Sequence, residues 1–237
     1  MKKTILIHIL SFCTITLLGQ ERFSIQLRSG EDLNTKVVNN RYLFPEFTAG
    51  TVVFAESATK VPMNYDMIMD EMHYTDARGQ VKALTNNPAE IVSIIIGERE
   101  FVHLQYGYAE VLAYFDNKAL LIRRKIKTET EKPTGAYGTV SDISAVERST
   151  AILGAAITGG ENFTELSGAR NITFNVTQTI YLQSGKSTYT GGSESNFLKV
   201  FGNNKKSMIR DYVKNRNLDL KKPTDLVELF NYLVDNI

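Results

Sequence analysis

From residue 41 to residue 127, apolar and polar positions alternate in short runs broken by Gly, Asp and Asn, the period of half-buried strands. Residues 51–55 form a β-branched and aromatic run opened by Gly50, and Pro45 disfavours helix just before it. Residues 91–96 (IVSIII) and 99–104 (REFVHL) flank Gly97-Glu98. That Gly-X pair predicts a two-residue hairpin, because Gly accepts positive φ at the first turn position. Residues 108–115 and 119–127 predict a second hairpin around Asp116-Asn117-Lys118. Tyr74 to Leu84 predicts a third, turned by residues 76–79, with Asp and Gly where type I turns favour them.

Beyond residue 127 the pattern changes. Residues 128–140 are charged and then carry Pro133, Gly135 and Gly138, a loop signature. Residues 143–160 are small and apolar and fit either a helix or a buried strand. Residues 171–183 alternate again, as one long strand or two short ones. Near the C-terminus the period becomes 3.6. Asn203 or Asn204 can cap a helix carrying Met208, Ile209, Tyr212 and Val213 on one side. Pro223 and Thr224 open a second, with Leu226, Leu229, Phe230, Leu233 and Val234 as one apolar stripe. The expected fold is α+β, mainly β: an antiparallel sheet curled into a barrel or sandwich, with two C-terminal helices. The expected organisation is a signal peptide (1–19), an N-terminal β-rich region (20–127) and a loop or linker (128–142). A continuation of the β-rich region (143–192) and a C-terminal helical cap (193–237) follow.

The leader changes the available chemistry. Lys2 and Lys3 precede a largely apolar stretch free of acidic residues, and Gly19 supplies a small residue before the expected cut, the pattern of a secretory signal peptide. The polar Ser11, Thr14 and Thr16 dilute a run too short for a transmembrane anchor. Cys13 is the single cysteine and Phe12, not a small residue, precedes it, so a lipoprotein is not expected. Cleavage after Gly19 shortens the 237-residue chain to 218 residues and moves its formal charge from +1 to −1. The mature chain then holds no thiol, hence no disulfide, thiol nucleophile or thiolate metal site. With 27 basic against 26 acidic residues, nucleic-acid binding lacks its electrostatic basis.

The most suggestive cluster is residues 66–73, which holds Asp66, Asp70, Glu71 and His73. Carboxylates and an imidazole so close together suit a divalent cation or acid–base work. On a strand, Glu71 and His73 share one face, while Asp66 and Asp70 share the other. The spacing matches neither H-E-x-x-H nor an EF-hand loop, and a structural role is expected. Ser57 and Lys60 fit S-x-x-K, but 14 Ser and 16 Lys make about one such match expected by chance. The companion K-T-G motif and a G-x-S-x-G elbow are absent. Arg123-Arg124-Lys125-Ile126-Lys127 is the densest basic run. It suits phosphate or an acidic surface, or more plainly an edge strand kept soluble by charge. Tyr106, Tyr108, Tyr114 and Phe115 suit stacking on sugars or filling a sheet core. Glycines at 135, 138, 191 and 192 lack nucleotide-loop spacing and predict turns. Three N-x-T sequons begin at Asn162, Asn171 and Asn175.

Several stretches together carry a resemblance: residues 43–52 (LFPEFTAGTV), 64–72 (NYDMIMDEM), 135–139 (GAYGT) and 211–215 (DYVKN), with Asp225-Leu226 after them. The chain resembles exported envelope proteins of Bacteroidetes-type bacteria that have no assigned activity. The resemblance implies export into a bacterial envelope, and no catalytic residue. No residue is therefore assigned to catalysis, to a cofactor or to a metal. The expected function is a non-enzymatic binding or scaffolding role in the periplasm or outside the cell, with envelope proteins or glycans as partners. Two alternatives stand beside it. One is a glycan hydrolase using Asp66, Asp70 and Glu71, whose carboxyls would converge across a cleft about 5–10 Å wide. The other is a periplasmic ligand carrier with a barrel cavity.

Overall fold

A computed structural model describes residues 22–27, 40–85, 87–105, 107–130 and 170–237. The expected signal peptide, most of the linker, residues 143–160, Tyr106 and the first sequon lie outside the described residues. Among the described residues, eleven strands form one antiparallel sheet. They are β1 (Arg22–Leu27), β2 (Thr48–Phe54), β3 (Ala58–Asp66), β4 (Glu71–Thr75), β5 (Val81–Ala83) and β6 (Ile91–Ile96). The rest are β7 (Arg99–Leu104), β8 (Gly107–Phe115), β9 (Lys118–Thr130), β10 (Arg170–Ser184) and β11 (Ser187–Thr190). In space the order is β1-β10-β9-β8-β7-β6-β2-β3-β4-β5, with β11 paired to β10.

The three expected hairpins form. Gly97 turns β6 into β7 at φ +59, and Gly79 turns β4 into β5 at φ +77. Asp116 takes φ +54 between β8 and β9, and Lys118 belongs to β9 rather than to the turn. β10 is one strand of 15 residues, which decides between the two forms expected for residues 171–183. β9 runs on to Thr130, three residues into the expected linker. Gly50 is required for packing: a Cβ there would stand 2.7 Å from Met63 Cγ on the neighbouring β3.

The sheet curls, but it does not close into a barrel. Among the described residues β5 and β1 end an open path, and no ladder joins them. Instead, the turn between β3 and β4 folds back onto β9, where the Ile126 N–H donates to Met67 O at 2.8 Å. One such bond, with the side chains beside it, replaces the closing ladder. The barrel half of the expectation is corrected accordingly.

Two cores lie on one face of the long strands. Inside the curl, Met63, Tyr65, Met72, Ile94, Ile96, Phe101, Ile126 and Phe174 pack together. Further along β9 and β10, Leu120 and Leu182 lie under three helices, not the two expected. These are α1 (Glu194–Phe201), α2 (Lys206–Arg216) and α3 (Pro223–Asp235). Ser193 caps α1, its Oγ accepting from the Asn196 N–H at 3.3 Å. Pro223 opens α3, and Leu226, Leu229, Phe230 and Leu233 bury the stripe read from the sequence. Asn203 and Asn204 sit in a short 3-10 turn before α2 and do not provide its cap, which is Lys205. Among the described residues, no helix is long and apolar enough to cross a membrane.

Candidate functional site at the first hairpin tip

Residues 67–70 form the turn of a hairpin between β3 and β4, so 66–73 is not one continuous strand. Asp66 ends β3, and its Oδ1 accepts from the N–H groups of Ile68 (2.9 Å) and Met69 (3.0 Å). An Asp that satisfies its own following backbone in this way nucleates a turn. Asp70 completes it at φ +63, a left-handed conformation that Asp tolerates better than most residues, and Glu71 begins β4. The turn therefore separates Asp66 from Asp70, which a strand would have placed on one face.

Asp66, Glu71 and His73 meet on one side. Asp66 is fully buried, and its Oδ2 accepts from Arg41 Nε at 2.5 Å. His73 Nε2 stands 3.8 Å from Asp66 Oδ2 and 3.5 Å from Glu71 Oε2, while its Nδ1 lies 3.1 Å from Tyr42 Oη. Burial pushes the His73 pKa below its ordinary value, and Arg41 works in the same direction. Asp66 and Glu71 pull upward, without prevailing. Tyr42 is raised, chiefly by burial. The strap that carries Arg41 and Tyr42 is pinned by its backbone as well. Leu43 N–H donates to Tyr65 O, and Met67 N–H donates to Arg41 O. Asn64 bonds the backbone of Phe44 in both directions, at 2.9 and 3.1 Å.

Asp70 goes elsewhere. Tyr65 Oη and Arg123 Nη2 donate to its carboxylate, and Lys125 Nζ stands 3.8 Å away. Burial raises the Tyr65 pKa to about 12, so its proton stays on oxygen. Gly107, at φ +132 at the start of β8, leaves the room the carboxylate occupies: a Cβ there would lie 2.6 Å from Asp70 Oδ1.

A third buried acid escaped the sequence reading. Glu110 on β8 accepts from Arg99 Nε (2.7 Å) and Nη2 (2.5 Å), and also from Arg124 Nη1. Burial works to raise the Glu110 pKa, but the Arg99 hydrogen bond and both guanidinium charges outweigh it and hold the group low. The Arg99 guanidinium also lies 4.9 Å from the Phe44 ring centroid. The available signal was a lone charge inside the apolar strand GYAEVLAYF, on the same face as Tyr108. The basic run on β9 is likewise not a solvated edge: β10 pairs it on one side, the β3–β4 turn meets it at Ile126 on the other, and Arg124 is buried.

Chemically, these clusters hold structure together more readily than they turn over a substrate. Asp66, Asp70 and Glu110 each already neutralise an arginine, so none stands ready as a base or nucleophile. Among the described residues, no group of three or more His, Cys, Asp or Glu side chains could hold a metal ion. Of the aromatic residues singled out from the sequence, Tyr108 is buried against the core, whereas Tyr114 and Phe115 are exposed at the β8–β9 tip. No family model, curated protein or solved structure matches the chain.

Proposed function

We propose that the chain is an exported envelope protein, periplasmic or secreted, with a non-enzymatic binding or scaffolding role. The observation that carries this reading is the engagement of Asp66 by Arg41 and of Asp70 by Arg123, at two separate places. A glycosidase needs two carboxyls facing one open cleft. Here the two aspartates are buried against different cations, which weighs against the hydrolase alternative. A ligand carrier needs a cavity, whereas the curl is filled by Tyr65, Phe101, Phe174 and their neighbours. In this reading the curled sheet is a platform offering strand faces and hairpin tips.

The test has two arms. The full-length gene is expressed in a bacterium with two membranes, and the processed protein is fractionated and sequenced from its N-terminus. A periplasmic or secreted protein beginning at Gln20 supports export, whereas a cytoplasmic protein beginning at Met1 overturns it. The purified protein is then incubated with envelope glycans and assayed for released reducing ends. No release is expected; release abolished by Asp66→Asn and Asp70→Asn in folded variants overturns the non-enzymatic role.

A further inference from the structure

On β9, Arg123, Lys125 and Lys127 fall two residues apart and so share one face. It is the face opposite the one that sends Leu120 and Ile126 into the two cores. Directly beside them in register on β10 stand Thr179, Thr177 and Asn175. The result is a row of cations flanked by hydroxyl and amide groups, repeating at about 6.7 Å. Among the described side chains one carboxylate, Asp70, is paired with this row. It takes the Arg123 guanidinium, and Lys125 lies 3.8 Å from the same oxygen. Asp70 thus holds the Arg123 end of the row, and its exposed positive charge lies towards Lys125 and Lys127. Lys127 is exposed and the Lys125 side chain is 36% exposed. The Lys125 pKa is lowered, first by burial and then by the charges of Arg123 and Lys127.

We infer that this end of the β9–β10 face, built on Lys125, Lys127, Asn175, Thr177 and Thr179, binds an anionic glycan. The inference rests on the binding role proposed above and names a ligand class for it. The lysines supply charge to carboxylate or phosphate groups on the sugar chain, and neighbouring oxygens and amides meet its hydroxyls. The Thr177 hydroxyl donates to Lys125 O at 2.9 Å, so its oxygen is turned to accept. The Asn175 amide offers both a donor and an acceptor. A nucleic acid is a poorer match, because 27 basic and 26 acidic residues provide no wider basic field.

Binding of the processed full chain to polygalacturonate, dextran and poly-glutamate is measured by calorimetry at low ionic strength. Polygalacturonate is expected to bind and to weaken with added salt, while neutral dextran does not bind. Lys127→Gln should weaken binding about threefold to fivefold, and Lys125→Gln with Lys127→Gln about tenfold, with the melting temperature of Lys127→Gln unchanged. Lys214→Gln, on the exposed side of α2, should leave affinity as it is. Absence of polygalacturonate binding, equal binding of poly-glutamate, or undiminished binding by Lys127→Gln overturns the inference. These results are read on purified protein and leave the export test untouched, so failure of the site and failure of the proposed compartment are separable.

Discussion

The two cores share the same long strands yet are closed by opposite means. At the C-terminal end, α1–α3 cover the sheet with Phe197, Leu226, Leu229, Phe230 and Leu233, an assembly held by apolar area. At the curled end, the sheet returns on itself through a hairpin tip, and buried charges hold that tip: Asp70 with Arg123, and Asp66 with Arg41. Between the two, on the shared face, Glu110 and Arg124 interrupt the apolar surface. An apolar closure is forgiving of geometry. A charged one is not, since either partner left alone is a buried unpaired ion.

Four substitutions probe this contrast. Phe230→Ala should cost the most, about 4 kcal/mol, because a fully buried ring leaves a cavity that the helices fill only in part. Denaturant titration checks it, and the loss should not vary with salt. Asp70→Ala should cost about 3 kcal/mol by removing the buried carboxylate that Arg123 and Tyr65 bond. Adding Arg123→Leu should recover part of that loss, and a double variant worse than the sum of its parts would contradict the pairing. Gly107→Ala should cost about 2 kcal/mol, combining positive φ with a clash against Asp70. In an Asp70→Ala background the clash disappears and the penalty should shrink.

The smallest effect is titrational. His73 has a folded pKa below its ordinary value of 6.5. Its neutral form is thus favoured by folding, and that contribution is whole above pH 6.5 and is lost as pH falls through the folded value. The melting temperature of the native chain should therefore approach that of His73→Gln as pH is lowered from 7 to 5. A gap that widens would show that protonated His73 is stabilised by Asp66 and Glu71 instead.

The legible parts of this molecule were those governed by local rules. IVSIII-GE-REFVHL became β6 and β7 at the expected residues, because alternation and a glycine turn act over short distances. Pro223 and the stripe behind it marked α3 for the same reason. The misses were long-range or fine-grained. Residues 66–70 have strand-like neighbours that suggest a strand, but the Asp66 carboxylate captures two backbone N–H groups and turns the chain. α1 has an adequate cap in Ser193, yet Gly191 and Gly192 just before it masked the start. Of the candidate cluster, the nearness of Asp66, Glu71 and His73 was readable. The departure of Asp70 to Arg123, 53 residues away, was not. Arg41, Tyr42, Arg99 and Glu110 entered only through tertiary packing.

Hydrogen exchange at the Ile126 amide addresses most directly whether charge, rather than a strand ladder, keeps the curl shut. That N–H is bonded to Met67 O across the closure. In Asp70→Ala the account predicts that Ile126 loses most of its protection while the amides of Leu229 and Phe230 keep theirs. Equal loss at all three sites, or none at Ile126, would contradict it.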